Sequence, residues 1–197
     1  MGRKARFGLV LLVVGMAGIR VGAADCGYGD ALKLHWERTR KMLTEIVAAM
    51  PEDKYDFRPV KEVRSFREMV SHMISDAYSH IGYVAGKSRE ESEKISADKV
   101  KNLKTRADIL KAMNESYDYG DKVLGTLTDQ NAMEMVSGMR NVKMTRVEAA
   151  LVAFEDAMDH YGNMVVYLRL NGIVPPDTAN KPAQEPRSQG KPEEHEH

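Results

Sequence analysis

Asp156-Ala-Met-Asp-His160-Tyr-Gly-Asn-Met-Val-Val-Tyr-Leu-Arg169-Leu-Asn-Gly172-Ile-Val-Pro-Pro176 is a helix that reaches a marked stop. Gly172 is the expected left-handed cap residue, and Pro175 and Pro176 beyond it prevent the helix from continuing. Upstream, Thr145-Arg-Val-Glu148 has the pattern of a capping box, so the helix is predicted over Thr145 to Asn171. Within it, Asp156 and His160 are four residues apart and share a helical face, which makes them half of a potential ion-binding site.

Working outward, the same signals recur. Ser65-Phe-Arg-Glu68 and Thr105-Arg-Ala-Asp108 mark two further helix starts. The first predicted helix is read from period alone: Leu32, Trp36, Thr39, Leu43, Ile46 and Met50 recur at steps of three and four until Pro51 stops it. The second, from about Ser65 to Gly86, presents Phe66, Val70, Met73, Ala77, Ile81 and Val84. The third, from Thr105 to about Leu127, presents Ile109, Leu110, Met113, Tyr117, Val123 and Leu124. Four long helices without a convincing strand predict an all-α four-helix bundle. Lys87 to Lys104 is charged and too long for a tight hairpin, and is expected to be a long crossover between helices 2 and 3. A two-stranded excursion around Met133–Val136 and Val142–Met144 is weakly signalled.

The two ends read differently. Arg3, Lys4 and Arg6, the apolar run Phe7 to Ile19, and Gly22-Ala-Ala24 have the form of a secretory signal peptide over residues 1–24, with an apolar run short for a membrane span. An uncleaved anchor helix is the other reading. Asp25 just before Cys26 argues against lipidation. The expected product is periplasmic or secreted, with no stable membrane span after cleavage. Residues 25–176 form the predicted domain, and 177–197 are polar, proline-rich and expected to be a disordered tail. His195 and His197 in that tail, with their glutamate neighbours, are better read as solvated than as a metal site.

The chain of 197 residues is formally neutral, and losing residues 1–24 removes four bases and no acid, leaving 25 basic against 29 acidic residues. Nothing in that balance suggests a nucleic-acid surface. Cys26 is the only cysteine, which excludes an intrachain disulfide and a cysteine-based zinc cluster. Any metal must be held by His, Asp or Glu. No Ser-His-Asp arrangement, phosphate-cradling glycine loop or dinucleotide fingerprint is visible. The 13 methionines, Met42, Met69, Met73, Met113, Met158 and Met164 among them, read as adaptable core filler rather than a copper array. Tyr161, Val165 and Leu168 read as core, with Arg169 on the solvated side near the helix C-terminus.

The chemistry centres on the stripe Met69, His72, Asp76, His80 of helix 2 and on Asp156 and His160 of helix 4. Imidazole and carboxylate suit Zn, Ni, Fe or Mn, and bundle interiors are where such ligands meet. The plainer reading is a pair of satisfied, half-buried histidines.

A resemblance bears on that choice. Trp36, the segment Met50-Pro-Glu-Asp-Lys-Tyr-Asp-Phe-Arg-Pro59, the opening Ser65-Phe-Arg-Glu-Met-Val-Ser-His72, and His160-Tyr-Gly-Asn163 through Pro176 resemble the DinB family of bacterial four-helix proteins, in the group with YfiT-like metal-dependent hydrolases and thiol transferases. The likeness covers about residues 30 to 176, and its last run, His160 through Pro176, is the most specific and resembles secreted or periplasmic members in particular. It implies a metal held by one histidine of helix 2 and two histidines four apart on the last helix. His72 and His160 occupy the outer positions, and Asp156 stands at the middle one, so the implied ligands are His72, Asp156 and His160. Asp76, His80 and Tyr161 are candidates for orienting a ligand or acting as general base, although each reads more readily as a packing or surface residue. Two functions follow. One is metal-dependent hydrolysis or thiol transfer on a small-molecule substrate. The other is a non-catalytic binding or dimerisation module, such as a homodimer, that has lost the metal site through Asp156.

Overall fold

In the structure, a computed structural model, residues 27–180 are described; the expected signal peptide and nearly all of the expected tail lie outside them. Helix α1 spans Tyr28–Ala49, α2 Phe66–Val84, α3 Arg89–Val100, α4 Arg106–Leu124, α5 Arg146–Leu170, and a short α6 Pro176–Ala179. Strands β1 (Met135–Ser137) and β2 (Lys143–Thr145) pair antiparallel between α4 and α5, with Val136 opposite Met144, where the sequence signalled an excursion.

Each of α2, α4 and α5 starts at its expected capping box: the side chains of Ser65, Thr105 and Thr145 accept from the backbone N–H three residues on, and Glu68, Asp108 and Glu148 reach back to the cap N–H. At the far end of α5, Gly172 has φ +73°, its N–H bonds the Arg169 carbonyl, and the Ile173 N–H bonds the Leu168 carbonyl, which together close the last turn. The stop read from Gly172 and the prolines is therefore a Schellman turn. The buried stripe of α5 differs slightly from expectation. It runs through His160, Met164, Tyr167 and Leu168, while Tyr161 and Val165 lie half-buried at its margin.

The four long helices form the bundle. Helix α1 packs on α4 and α5, and α2 also packs on α4 and α5, so α1 and α2 occupy opposite corners. Direction follows from the tertiary contacts. The Arg67 guanidinium donates to the Lys104 carbonyl, bringing the starts of α2 and α4 to one end, and the Tyr167 hydroxyl donates to the Arg64 carbonyl, bringing the end of α5 to the start of α2. Helices α2 and α4 are thus parallel, and α5 runs antiparallel to α2.

That arrangement requires the crossover between α2 and α4, and the crossover is itself a helix, α3, which spans about 18 Å at the usual rise per residue. It packs along the outside of α2. No apolar stripe announced it: α3 buries Ser92 and Ser96, with Ile95 half-buried. The contact works because Gly82 of α2 faces Ser92, where a Cβ on Gly82 would lie 2.3 Å from the Ser92 hydroxyl oxygen. The readable signal was Ser88-Arg-Glu-Glu91, a fourth capping box.

Two contacts fix the core. Trp36, the only tryptophan, lies buried against α4: its Nε1 donates to the Tyr117 carbonyl at 2.8 Å, its ring sits 4.5 Å from that of Tyr117, and it fills the space above Gly120. At the end of α1, the carbonyls of Val47 and Ala48 have no partner within the helix. They accept from the Tyr55 hydroxyl at 3.0 Å and the Arg106 guanidinium at 2.9 Å.

Gly120→Ala would place a Cβ 2.2 Å from Trp36 Cε2, so the ring must move. The variant is expected to lose about 1–3 kcal/mol of stability. Thermal unfolding with tryptophan fluorescence checks this, and an unshifted midpoint with unchanged emission would refute it.

Burial pushes the Tyr55 phenol up to about 12, against the opposing pull of Arg106. The neutral phenol is the form the fold favours, so its contribution is complete below the ordinary tyrosine value and is lost as pH rises toward 12. Tyr55→Phe is expected to cost about 1 kcal/mol at neutral pH and to flatten the alkaline fall in stability between pH 10 and 12. Denaturant titrations across that range measure both effects.

Candidate metal centre

The stripe of α2 and the Asp156–His160 pair of α5 face each other across the antiparallel α2–α5 seam. Helix α2 carries His72 then Asp76, and α5 carries Asp156 then His160. The order within the pairs is reversed, and because the helices run in opposite directions the reversal sets imidazole against imidazole. The His72 and His160 rings are 4.9 Å apart, edge to face at 67°.

The Asp76 Oδ2 lies 3.1 Å from His72 Nε2 and 3.6 Å from His160 Nε2. On the other flank of His160, Asp156 Oδ1 is 3.5 Å from the same Nε2, and Asp156 Oδ2 is 3.9 Å from His80 Nδ1. The five side chains form an alternating row, His72, Asp76, His160, Asp156, His80. Exposure does not follow position along the row: the His72, Asp76 and Asp156 side chains are 30%, 21% and 30% exposed, whereas His160 and His80 are 10% and 8% exposed.

Among the described residues, the group whose ligand atoms all lie within 4.8 Å of one another is His72, Asp76 and His160. The sequence reading expected His72 and His160 to converge, and they do. It placed Asp156 with them as ligand and Asp76 beside them as helper. In the structure Asp76 completes the compact trio, and Asp156 touches His160 from outside it. The i, i+4 relation of His72 to Asp76 was as visible as that of Asp156 to His160. Of the other helpers, His80 meets Asp156, whereas Tyr161 lines a separate surface cleft with Arg38, Met42 and Pro176.

The trio fits a divalent cation. Ligand atoms around one tetrahedral ion at about 2.1 Å stand roughly 3.4 Å apart, and the two Asp76 distances of 3.1 and 3.6 Å bracket that value. The buried His160 Nε2 and Nδ1 have no hydrogen-bond partner, although buried polar atoms nearly always have one. The carboxylates lie within ion-pairing distance of Nε2 but outside hydrogen-bond geometry, as expected of groups arranged around a shared positive charge.

The electrostatics agree. Asp156 and Asp76 beside His160 raise its pKa to about 9 against the opposing effect of burial. Burial lowers His72 despite the pull of Asp76. Burial also pushes Asp156 upward, but the neighbouring imidazoles of His160, His80 and His72 outweigh it and leave the carboxyl below its ordinary value. The two carboxylates thus favour a positive charge at His160.

Two solved structures share the fold. A DinB-like protein from Bacillus subtilis aligns with a TM-score of 0.59 at 19% identity, over 72% of this chain and 92% of its own. A member assigned to the DinB family from Exiguobacterium sibiricum aligns with a TM-score of 0.60 at 19% identity, over 74% of this chain and 92% of its own. No curated protein matches the chain significantly. Residues 27–192 match the DinB family, a span that includes the whole bundle and both halves of the candidate centre, and the chain belongs to that family.

Proposed function

We propose that this chain is an exported DinB-family protein that holds a divalent transition metal, Zn, Ni, Fe or Mn, in the α2–α5 seam and catalyses metal-dependent hydrolysis or thiol transfer on a small molecule. The observation that carries the proposal is the convergence of His72, Asp76 and His160, with donor atoms within 4.8 Å of one another and the His160 nitrogens unpartnered. Export rests on the pattern of Arg3 to Ala24.

In this reading His72 and His160 supply the imidazole ligands. Asp76 supplies the carboxylate from within the trio, and Asp156, at the position where the family resemblance implies a histidine, flanks it. A bound divalent ion would supply a low-pKa water or a stabilised thiolate for attack on substrate. The half-exposed His72 side gives access from solvent, while buried His160 anchors the inner side. Asp156 holds the His160 ring between two carboxylates and so fixes its orientation.

The test is metal content by elemental analysis of protein purified without an affinity tag and carrying His195→Gln and His197→Gln to silence the tail. Near-stoichiometric metal that disappears in both His72→Ala and His160→Ala is the expected result. No metal after reconstitution with Zn, Ni and Mn would reject the metalloprotein and leave the non-catalytic binding module. Export is checked separately by N-terminal sequencing of protein made from the full gene in a bacterial host. A start at Asp25 or one residue earlier is expected, and a retained N-terminal segment in the cytoplasm would exclude it.

A further inference from the structure

The outward face of the α1–α5 pair carries apolar side chains that the fold does not bury. On α5, Leu151, Glu155, Met158, Gly162 and Val166 recur at steps of three and four and so form one stripe, on the side of the helix away from buried His160. Leu151, Met158 and Val166 are 48%, 38% and 51% exposed. Beside them α1 presents Leu34, 74% exposed, with Arg38 and Lys41 on the same line. Between the two helices runs a groove of about 390 Å³ lined by Leu32, His35, Met42, Leu151, Phe154 and Met158. Single exposed apolar residues are ordinary, whereas a contiguous apolar groove with a polar rim marks a contact surface. Gly162 lies at the centre of the α5 stripe. Glycine inside a helix is destabilising relative to alanine, and a Cβ at Gly162 would meet nothing within 4 Å. Nothing among the described residues therefore calls for glycine there, and what it permits is the close approach of another molecule.

We propose that this face joins two copies of the chain in a two-fold dimer, with α1 of each copy laid against α5 of the other. Charge selects a second copy as the occupant. The α1 margin of the groove carries Arg38 and Lys41, and the α5 margin carries Glu155 and Asp159. Glu37 and Glu45, also on α1, lie against Arg40 and Lys41 of their own helix. The side chains of Arg38 and Glu155 have no ion-pair or hydrogen-bond partner among the described residues. Helices α1 and α5 run parallel: His35 packs on Phe154 with ring centroids 6.2 Å apart, and Met42 and Tyr161, two turns further along each helix, line a common cleft. Arg38 is thus about level with Ala157, between Glu155 and Asp159. A two-fold axis along the helices sets α1 of one copy opposite α5 of the other and preserves that height. Arg38 of each copy then meets Glu155 and Asp159 of the other, and Leu34 falls near Leu151. The face is self-complementary, as a closed dimer requires. The chain's own tail does not suit the groove, because residues 181–197 contain no Leu, Ile, Val, Met or aromatic residue. The contact faces away from the α2–α5 seam, so it stands or falls independently of the metal centre.

The experiment is sedimentation equilibrium on the untagged chain over a wide range of concentration, with circular dichroism as the check on folding. A mass twice that of the chain is expected. Arg38→Glu and Glu155→Arg should each shift the protein toward monomer with unchanged circular dichroism, and an equimolar mixture of the two variants should recover the dimer. Recovery on mixing requires the two charges to meet between copies, since neither variant restores a pair within its own chain. Gly162→Leu, which has open space within the protomer, should fold normally and lose the dimer. A monomer at every concentration would overturn the proposal. Association that survives both Arg38→Glu and Gly162→Leu would place the contact elsewhere and overturn it too, as would charge variants that dissociate the dimer without recovery on mixing.

Discussion

The antiparallel packing of α2 on α5 is the constraint on which the rest of the molecule depends. It brings one histidine–aspartate pair from each helix to the same height, in opposite sequence order, and it buries His160 while leaving His72, Asp76 and Asp156 partly in reach of solvent. Polar groups in such a seam are costly unless they find partners. Here they largely face one another at 3.1–3.9 Å instead of being fully hydrogen-bonded. A bundle selected for stability alone would place apolar side chains there.

The rest of the architecture holds that seam in place. Helix α3 lets α4 begin at the same end as α2, so α5 becomes the antiparallel neighbour of α2. The Tyr167–Arg64 contact ties the end of α5 to the approach to α2, and the paired capping boxes at Ser65 and Thr145 set where each helix begins. Trp36 packed over Gly120 fixes α1 against α4. These anchors let the ligand-bearing stripes sit at the seam without supplying most of the packing themselves.

The local signals in the chain were strong and their consequences held. Thr145 with Glu148, Ser65 with Glu68, and Gly172 before two prolines set helix limits that the structure reproduces, because each is a hydrogen-bond requirement met within a few residues. The buried series from Leu32 to Met50 followed from period alone. Helix α3 was read as connection only, because burial of serines against Gly82 leaves no apolar period, although Ser88 and Glu91 announced its start. The buried face of α5 was read one position off, since Tyr161 and Met164 are both plausible core residues until the partner helix is known.

The sequence by itself determined the four long helices, the connection that must cross, and the two i, i+4 pairs of histidine and aspartate. These depend on neighbours within a turn of helix, so the chain encodes them directly. Only the tertiary structure decided which carboxylate joins both histidines. Asp76 and Asp156 are equivalent in spacing, but the rotation of α2 against α5 and the directions of their side chains place Asp76 Oδ2 between His72 and His160, and turn Asp156 toward His160 and His80. That choice is a property of two helices packed together, which no spacing along one of them contains.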